Sequence, residues 1–310
     1  MDPVTHAVIG MTVSKIAGNG LDFSNPVYAG LIAGSVFPDI DILLQKWGDY
    51  VYLKNHRGVT HSIIGLFVSA ALIAVVIGGL YHVTDIQNIF LWSFIGCLSH
   101  SLIDIFNPYG AKLLWPFSDK KISISLLILF DPVCVGTLTG FVCTRGALQW
   151  VFLAAFGLYL VSRVAMRLFI KMELKHKYDM DYGRISLLPS MKGILKWHFV
   201  LKTKDADIIG EKDILKRRIK ITHILNKTND KLVKHVLESK PGKFFAEFTP
   251  LIHVACEETG KTKKYVLTDM RYCVKNNFLH HAFLEIDENN EIISASFNPY
   301  SVKRSTSIPM

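Results

Sequence analysis

Asn55-His56-Arg57-Gly58-Val59-Thr60-His61-Ser62 holds two histidines five residues apart in a short polar stretch, and an apolar run of membrane length begins where it ends. Upstream stands Pro38-Asp39-Ile40-Asp41; downstream stands His100-Ser101-Leu102-Ile103-Asp104. Imidazoles and carboxylates are the ligands of divalent ions such as zinc, manganese or iron, and here they recur at the edges of apolar segments. Ionisable groups beside hydrocarbon are costly to keep, so each is a functional candidate. Gly58 permits a tight turn that would swing His56 and His61 toward one point.

The apolar runs set the fold class. Ser62–Tyr81, Ile89–Phe106, Ile122–Cys143 and Leu148–Ile170 approach the roughly 20 residues that a bilayer core requires. Val27–Leu44 is nearly as apolar, but Pro38 removes a backbone donor and two aspartates are unwelcome in lipid, so it reads as a partly inserted helix. Residues 4–18 read as an amphipathic or partly buried helix ending at Asn19-Gly20. The expected architecture is mainly α: a polytopic helical domain over residues 1–177, with about four spanning helices and N-terminal helices that carry ligands. A soluble, strand-rich α+β domain over 178–310 follows. In that second part Phe244–Ala255, Lys264–Leu267, Ala282–Ile286 and Ile292–Phe297 read as strands, Asp287–Asn290 as a turn, and Asp213–Leu237 as helical.

Charge separates the two parts. Residues 1–170 carry 10 Lys and Arg against 9 Asp and Glu, whereas 171–310 carry 25 against 17. Mean hydropathy of +0.29 with 50% hydrophobic residues is high for a soluble chain, and the first part accounts for it. The five cysteines (Cys97, Cys134, Cys143, Cys256, Cys273) form no CxxC pair and fit a reducing compartment. The N-terminus shows no cleavable signal pattern, so membrane entry is expected through internal helices. Four spans would put Lys46, Lys54, Arg57, Lys112, Lys120, Lys121, Lys171, Lys175 and Lys177 on one side and Arg145 alone on the other. The positive-inside rule makes the first side cytoplasmic, in a cell (inner or plasma) membrane, and His56, His61, His100 and Asp104 then face it together with the tail.

Each candidate has a plain structural alternative. His100 and Asp104, four apart, share one helix face and suit either one metal ion or a polar bridge between helices. Arg57 could grip an anionic substrate or serve as a positive-inside anchor. Asp39 and Asp41 lie roughly 200° apart on a helix but point the same way if Pro38 extends the chain, and Asp39 could also cap a helix. Asp131, in mid-run before Pro132, reads as a ligand, an acceptor for a ligand histidine, or a cap.

These residues together resemble the family of membrane-bound metal-dependent hydrolases that includes the bacterial YdjM and YfhP proteins. The resemblance rests on Thr5-His6, Phe37-Pro38-Asp39-Ile40-Asp41, the His56–Ser62 stretch, His100–Asp104, Asn107-Pro108-Tyr109-Gly110 and Trp115-Pro116-Phe117, and covers roughly residues 1–135. That family is regarded as distantly related to zinc-dependent phospholipase C, which would imply phosphoester hydrolysis by a metal-activated water. The expectation is therefore His6, Asp39, Asp41, His56, His61, His100, Asp104 and Asp131 as metal ligands, zinc first with manganese or iron as alternatives. Asp41, His61 and Arg57 are the catalytic candidates. The expected partners are membrane lipid and an anionic or phosphoester substrate; no specific nucleic acid is expected, since the basic charge of the tail is diffuse. The competing reading is a non-enzymatic membrane protein that handles metal, or an anchor that recruits an anionic partner through its tail.

Overall fold

Helix α1 (Pro3–Ile16) starts where Asp2 accepts the amides of Val4 and Thr5, with Pro3 in the first turn where a missing N–H costs nothing. Asn25 and Pro26 open α2 (Pro26–Val36) in the same manner. The chain then tightens into a 3₁₀ segment, Phe37–Trp47, which carries Pro38, Asp39 and Asp41. Helix α3 (Asp49–Asn55) follows, then a 3₁₀ turn at Val59–His61. Ser62 caps α4 (Ile63–Leu80) by accepting from Gly65 N–H, and Asp85 caps α5 (Ile86–Asp104). Helices α6 (Pro132–Cys143) and α7 (Ala147–Tyr178) complete the helical part. The computed structural model describes residues 1–259, 262–274, 277–300 and 305–308, and all that follows concerns those residues.

Two compact units emerge: Met1–Leu43 with Asn55–Phe169, and Leu44–Lys54 with Ile170–Met310. In the first, α2 and α5 cross at very short range, because a Cβ on Gly34 would collide with the Ser93 carbonyl and one on Gly96 with the Leu31 carbonyl. This crossing places Ser35, at the end of α2, beside His100 of α5. Leu66, Ala70, Ile73, Ala74, Ile89 and Cys97 fill the space between α4 and its neighbours. Many other apolar side chains point outward, among them Phe67, Val75, Leu80, Leu158 and Val161, as a lipid-facing surface requires.

Four helical stretches are long and apolar enough to cross a membrane: Pro26–Trp47, Ile63–Leu80, Ile86–Asp104 and Ala147–Tyr178. The expected span Ile122–Cys143 is corrected, since only its last 12 residues are helical. Residues 122–131 instead form an extended strip that bonds to Ala111, Ile105 and Phe106, and Asp131-Pro132 starts the helix. The stretch from Pro26 has the length to span after all, by continuing from α helix into 3₁₀ helix at Phe37.

In the second unit, antiparallel strands β1 (Ile185–Pro189), β2 (Lys196–Lys202), β3 (Ala206–Asp213) and β4 (Arg218–Asn226) form one sheet in that order. Helices α8 (Val233–Glu238) and α9 (Lys240–Phe248) follow. Strands β5 (Ile252–Thr259) and β6 (Thr262–Asp269) precede a small ribbon, β7 (Cys273–Val274) with β8 (Asn277–Phe278). Strands β9 (His281–Ile286), β10 (Ile292–Asn298) and β11 (Thr306–Ser307) complete a five-stranded sheet in the order β11-β10-β9-β6-β5. On β9, Ala282, Leu284 and Ile286 point inward in strict alternation, as their sequence suggests. They join Phe244, Phe245, Phe248, Tyr265 and Phe297 in a core that also holds Leu53, with Tyr50 and Tyr52 against it. Segment 44–54 therefore packs within the strand-rich unit, far along the chain from its other members.

Two readings of this part are corrected. Phe244–Phe248 is helical rather than extended, because Ser239 and Pro241 start a helix whose Phe face is buried. Residues 218–226 form a strand, not a helix: Arg218, Lys220 and their neighbours decorate a largely exposed strand paired to β3, and the charges obscured its period of two.

Candidate metal centre

Four side chains converge between the end of α2, the turn before α4 and the end of α5. Asp39, His61, His100 and Asp104 offer ligand atoms that all lie within 4.8 Å of one another. His61 Nε2 and His100 Nε2 face each other at 3.2 Å. Asp39 Oδ1 lies 3.5 Å from His61 Nε2 and 3.4 Å from His100 Nε2, and Asp104 Oδ2 lies 3.4 and 3.7 Å from the same two atoms. The side chains of His61, His100 and Asp104 are wholly buried.

The hydrogen bonds decide what these atoms present. His100 Nδ1 sits 2.8 Å from the Ser35 carbonyl, which can only accept, so Nδ1 carries the proton and Nε2 a lone pair. His61 Nδ1 lies 3.0 Å from Thr60 Oγ1, whose hydroxyl is directed at Asp41 Oδ2. The relay leaves His61 Nε2 as a lone pair as well. Asp39 Oδ1 and Asp104 Oδ2 are buried without hydrogen-bond donors. Two lone pairs and two carboxylate oxygens pointed at one place repel unless a cation sits among them, and two nitrogens with two oxygens are a donor set suited to zinc or a similar ion. Burial opposes charge on His61, but the Asp104 and Asp39 carboxylates outweigh it and raise its pKa. The field that would hold a proton there would also hold a metal.

A second set adjoins the first: Asp39, Asp41 and His56. His56 Nδ1 lies 2.9 Å from Asp41 Oδ1, and Asp41 Oδ2 accepts from the Arg57 amide at 2.9 Å. Arg57, rather than Gly58, takes the left-handed backbone conformation of the turn, at φ 59°. Gly58 is needed for a different reason, since a Cβ there would stand 2.6 Å from the Asn55 carbonyl oxygen.

The remaining sequence candidates fall in distinct places. His6 borders the cluster: its ring stacks on His100 at 3.6 Å, and Nε2 is 3.5 Å from Asp104 Oδ1 and 3.9 Å from Asp39 Oδ2. Nε2 also lies 2.9 Å from the Met1 amino group, which contacts Asp104. Burial lowers the His6 pKa to about 4, so its imidazole is neutral. Arg57 is buried; Nη1 donates to Asn107 Oδ1 at 2.7 Å and Nε lies 3.3 Å from Asp104 Oδ2. It braces a candidate ligand, Asp104, and its guanidinium is not presented to solvent. Asp131 is corrected as a ligand: Oδ1 caps α6 through Val133 and Cys134, and Oδ2 accepts from Tyr159 at 2.6 Å. Asn107 and Thr60 escaped assignment. The signal for Asn107 was its place three residues after Asp104, within reach of its side chain, to which Nδ2 donates at 3.0 Å.

Fold and site thus define an integral membrane protein with a buried His and Asp cluster able to hold a metal ion. Residues 1–170 match the family described as YdjM inner membrane protein, and residues 231–306 match the YfhP C-terminal alpha/beta plait domain. The chain belongs to the YdjM family. It is 31% identical over 223 residues to the uncharacterized protein YfhP of Bacillus subtilis (strain 168), covering 68% of each chain. It is 32% identical over 121 residues to the inner membrane protein YbcI of Escherichia coli (strain K12), covering 38% of this chain and 69% of that one. No solved structure matches the chain.

Proposed function

We propose that the protein is a metal-dependent hydrolase acting on a phosphoester or lipid-like substrate at the cytoplasmic face of the membrane. The observation that carries the proposal is the pair of imidazole lone pairs, His61 Nε2 and His100 Nε2, set 3.2 Å apart with two undonated carboxylate oxygens. Asp39, His61, His100 and Asp104 would hold the ion, with zinc the first choice. A divalent ion supplies Lewis acidity and a water acidified to near neutral pH.

The chain's own residues do the rest. The Ser35 carbonyl and Thr60 hydroxyl fix the tautomers of His100 and His61, so that both ligands stay oriented. Asn107 holds Asp104 from behind through Oδ1, and Arg57 Nε lies 3.3 Å from Oδ2. His56, 19% exposed and paired with the buried Asp41, is the group placed to handle a proton or a second ion. The cytoplasmic assignment rests on Lys54, Arg57, Lys112, Lys120 and Lys121, in the two segments that stay on one side when Pro26–Trp47 replaces Ile122–Cys143 as a span, and a lipid substrate on the membrane location.

The test is elemental analysis of the detergent-purified full chain, followed by assay against phospholipids and simple phosphoesters with and without chelator. Stoichiometric metal and chelator-sensitive hydrolysis, both lost in His61→Ala/His100→Ala, are expected. Bound metal without hydrolysis of any phosphoester would favour the metal-handling reading, and absence of metal after resupply would end the proposal.

A further inference from the structure

The two ligand sets share Asp39, and this sharing has a consequence for how many ions the centre holds. The inner set needs only one oxygen of Asp39, namely Oδ1, which faces both His61 and His100. A carboxylate has a second oxygen, and Asp41 and His56 lie within 4.8 Å of an oxygen of Asp39 as a further three-residue set. The two sets also differ in access. The inner histidines and Asp104 are wholly buried; in the second set Asp41 is buried too, at 2%, while His56 is 19% exposed and the shared Asp39 18%.

We infer that the centre is dinuclear: Asp39 bridges an enclosed ion on His61, His100 and Asp104 to a second, outward ion on Asp41 and His56. The inference rests on the metal-dependent reading above and deepens it. Asp41 Oδ2 accepts from the Arg57 amide and the Thr60 hydroxyl, while Asp41 Oδ1 and His56 Nδ1 share one proton at 2.9 Å, the place a second cation would take. The bridge explains why Asp39, alone among the carboxylates of the two sets, belongs to both.

The experiment is titration of the chelator-treated full chain in detergent with manganese(II) chloride, followed by electron paramagnetic resonance. Wild type should bind two ions and give an exchange-coupled spectrum. His56→Gln and, as a second variant, Asp41→Asn should each bind one ion and give an uncoupled spectrum, the retained ion showing that the inner set is intact. One uncoupled ion in wild type, lost in His100→Gln, would overturn the dinuclear centre and leave the single-ion reading standing. No bound manganese in wild type, and no bound zinc by elemental analysis after resupply, would overturn both.

Discussion

Asn107 joins Arg57 to Asp104: its Oδ1 accepts from Arg57 Nη1 at 2.7 Å, and its Nδ2 donates to Asp104 Oδ1 at 3.0 Å. The same Oδ1 accepts the amides of Tyr109 and Gly110, so the loop after α5 and the turn before α4 are tied to one side chain. Partners behind a ligand set its orientation and basicity, and losing them typically costs about 10–100-fold in metal affinity. Asn107→Ala should weaken metal binding by roughly that factor. A competition titration against a chelating dye measures it, and an unchanged affinity would mean Asp104 is held by other means.

Asp131 gives a contrasting expectation. It caps α6 and accepts from Tyr159, so Asp131→Ala removes a cap worth about 1 kcal/mol and strands a largely buried phenol. The variant should unfold at a lower temperature and retain its full metal content. Loss of metal with unchanged stability would restore Asp131 to the ligand set.

The strand-rich unit should respond to acid. His280 is buried among Phe248, Phe297 and Tyr300, its ring nitrogens have no hydrogen-bond partner, and burial lowers its pKa to about 4. The unfolded chain takes up a proton near pH 6.5, whereas the folded chain resists until about 4. The contribution is therefore complete above the unfolded value and is lost as pH falls through that window, at about 1.4 kcal/mol per unit. His198 and His281 are also lowered by burial and act in the same direction. Denaturant midpoints measured at pH 7 and pH 5 should differ less in His280→Phe than in wild type. Equal differences would show that folded His280 titrates at its ordinary value and contributes nothing to the pH dependence.

Leu53 tests whether segment 44–54 belongs to the strand-rich core. It is buried among residues 232–308 of the sequence, and Leu→Ala in a packed core costs about 2–5 kcal/mol. Leu53→Ala should increase proteolytic cleavage within residues 170–310. Unchanged protection would mean the segment only lies on the surface.

The candidate ligands were legible because chemistry and spacing agree locally: His100 and Asp104 share a helix face by the period of the helix, and His56 and His61 share one turn. The apolar runs were legible for the same reason, since hydrocarbon demands a length that a sequence displays. What chain order alone does not determine is which partners meet. That Asp131 caps a helix while Asp39 joins two ligand sets depends on Tyr159 reaching one and His61 and His100 reaching the other. The fate of Arg57 depends on Asn107, 50 positions away. The strand at 218–226 exists because β3 supplies its hydrogen-bond partners, and the charges on its exposed faces hide that from any local reading. The sequence by itself determined which residues could bind metal and which segments must avoid water, because those are properties of single side chains and short periods. Tertiary structure decided which candidates converge, because convergence depends on contacts between residues far apart in the chain.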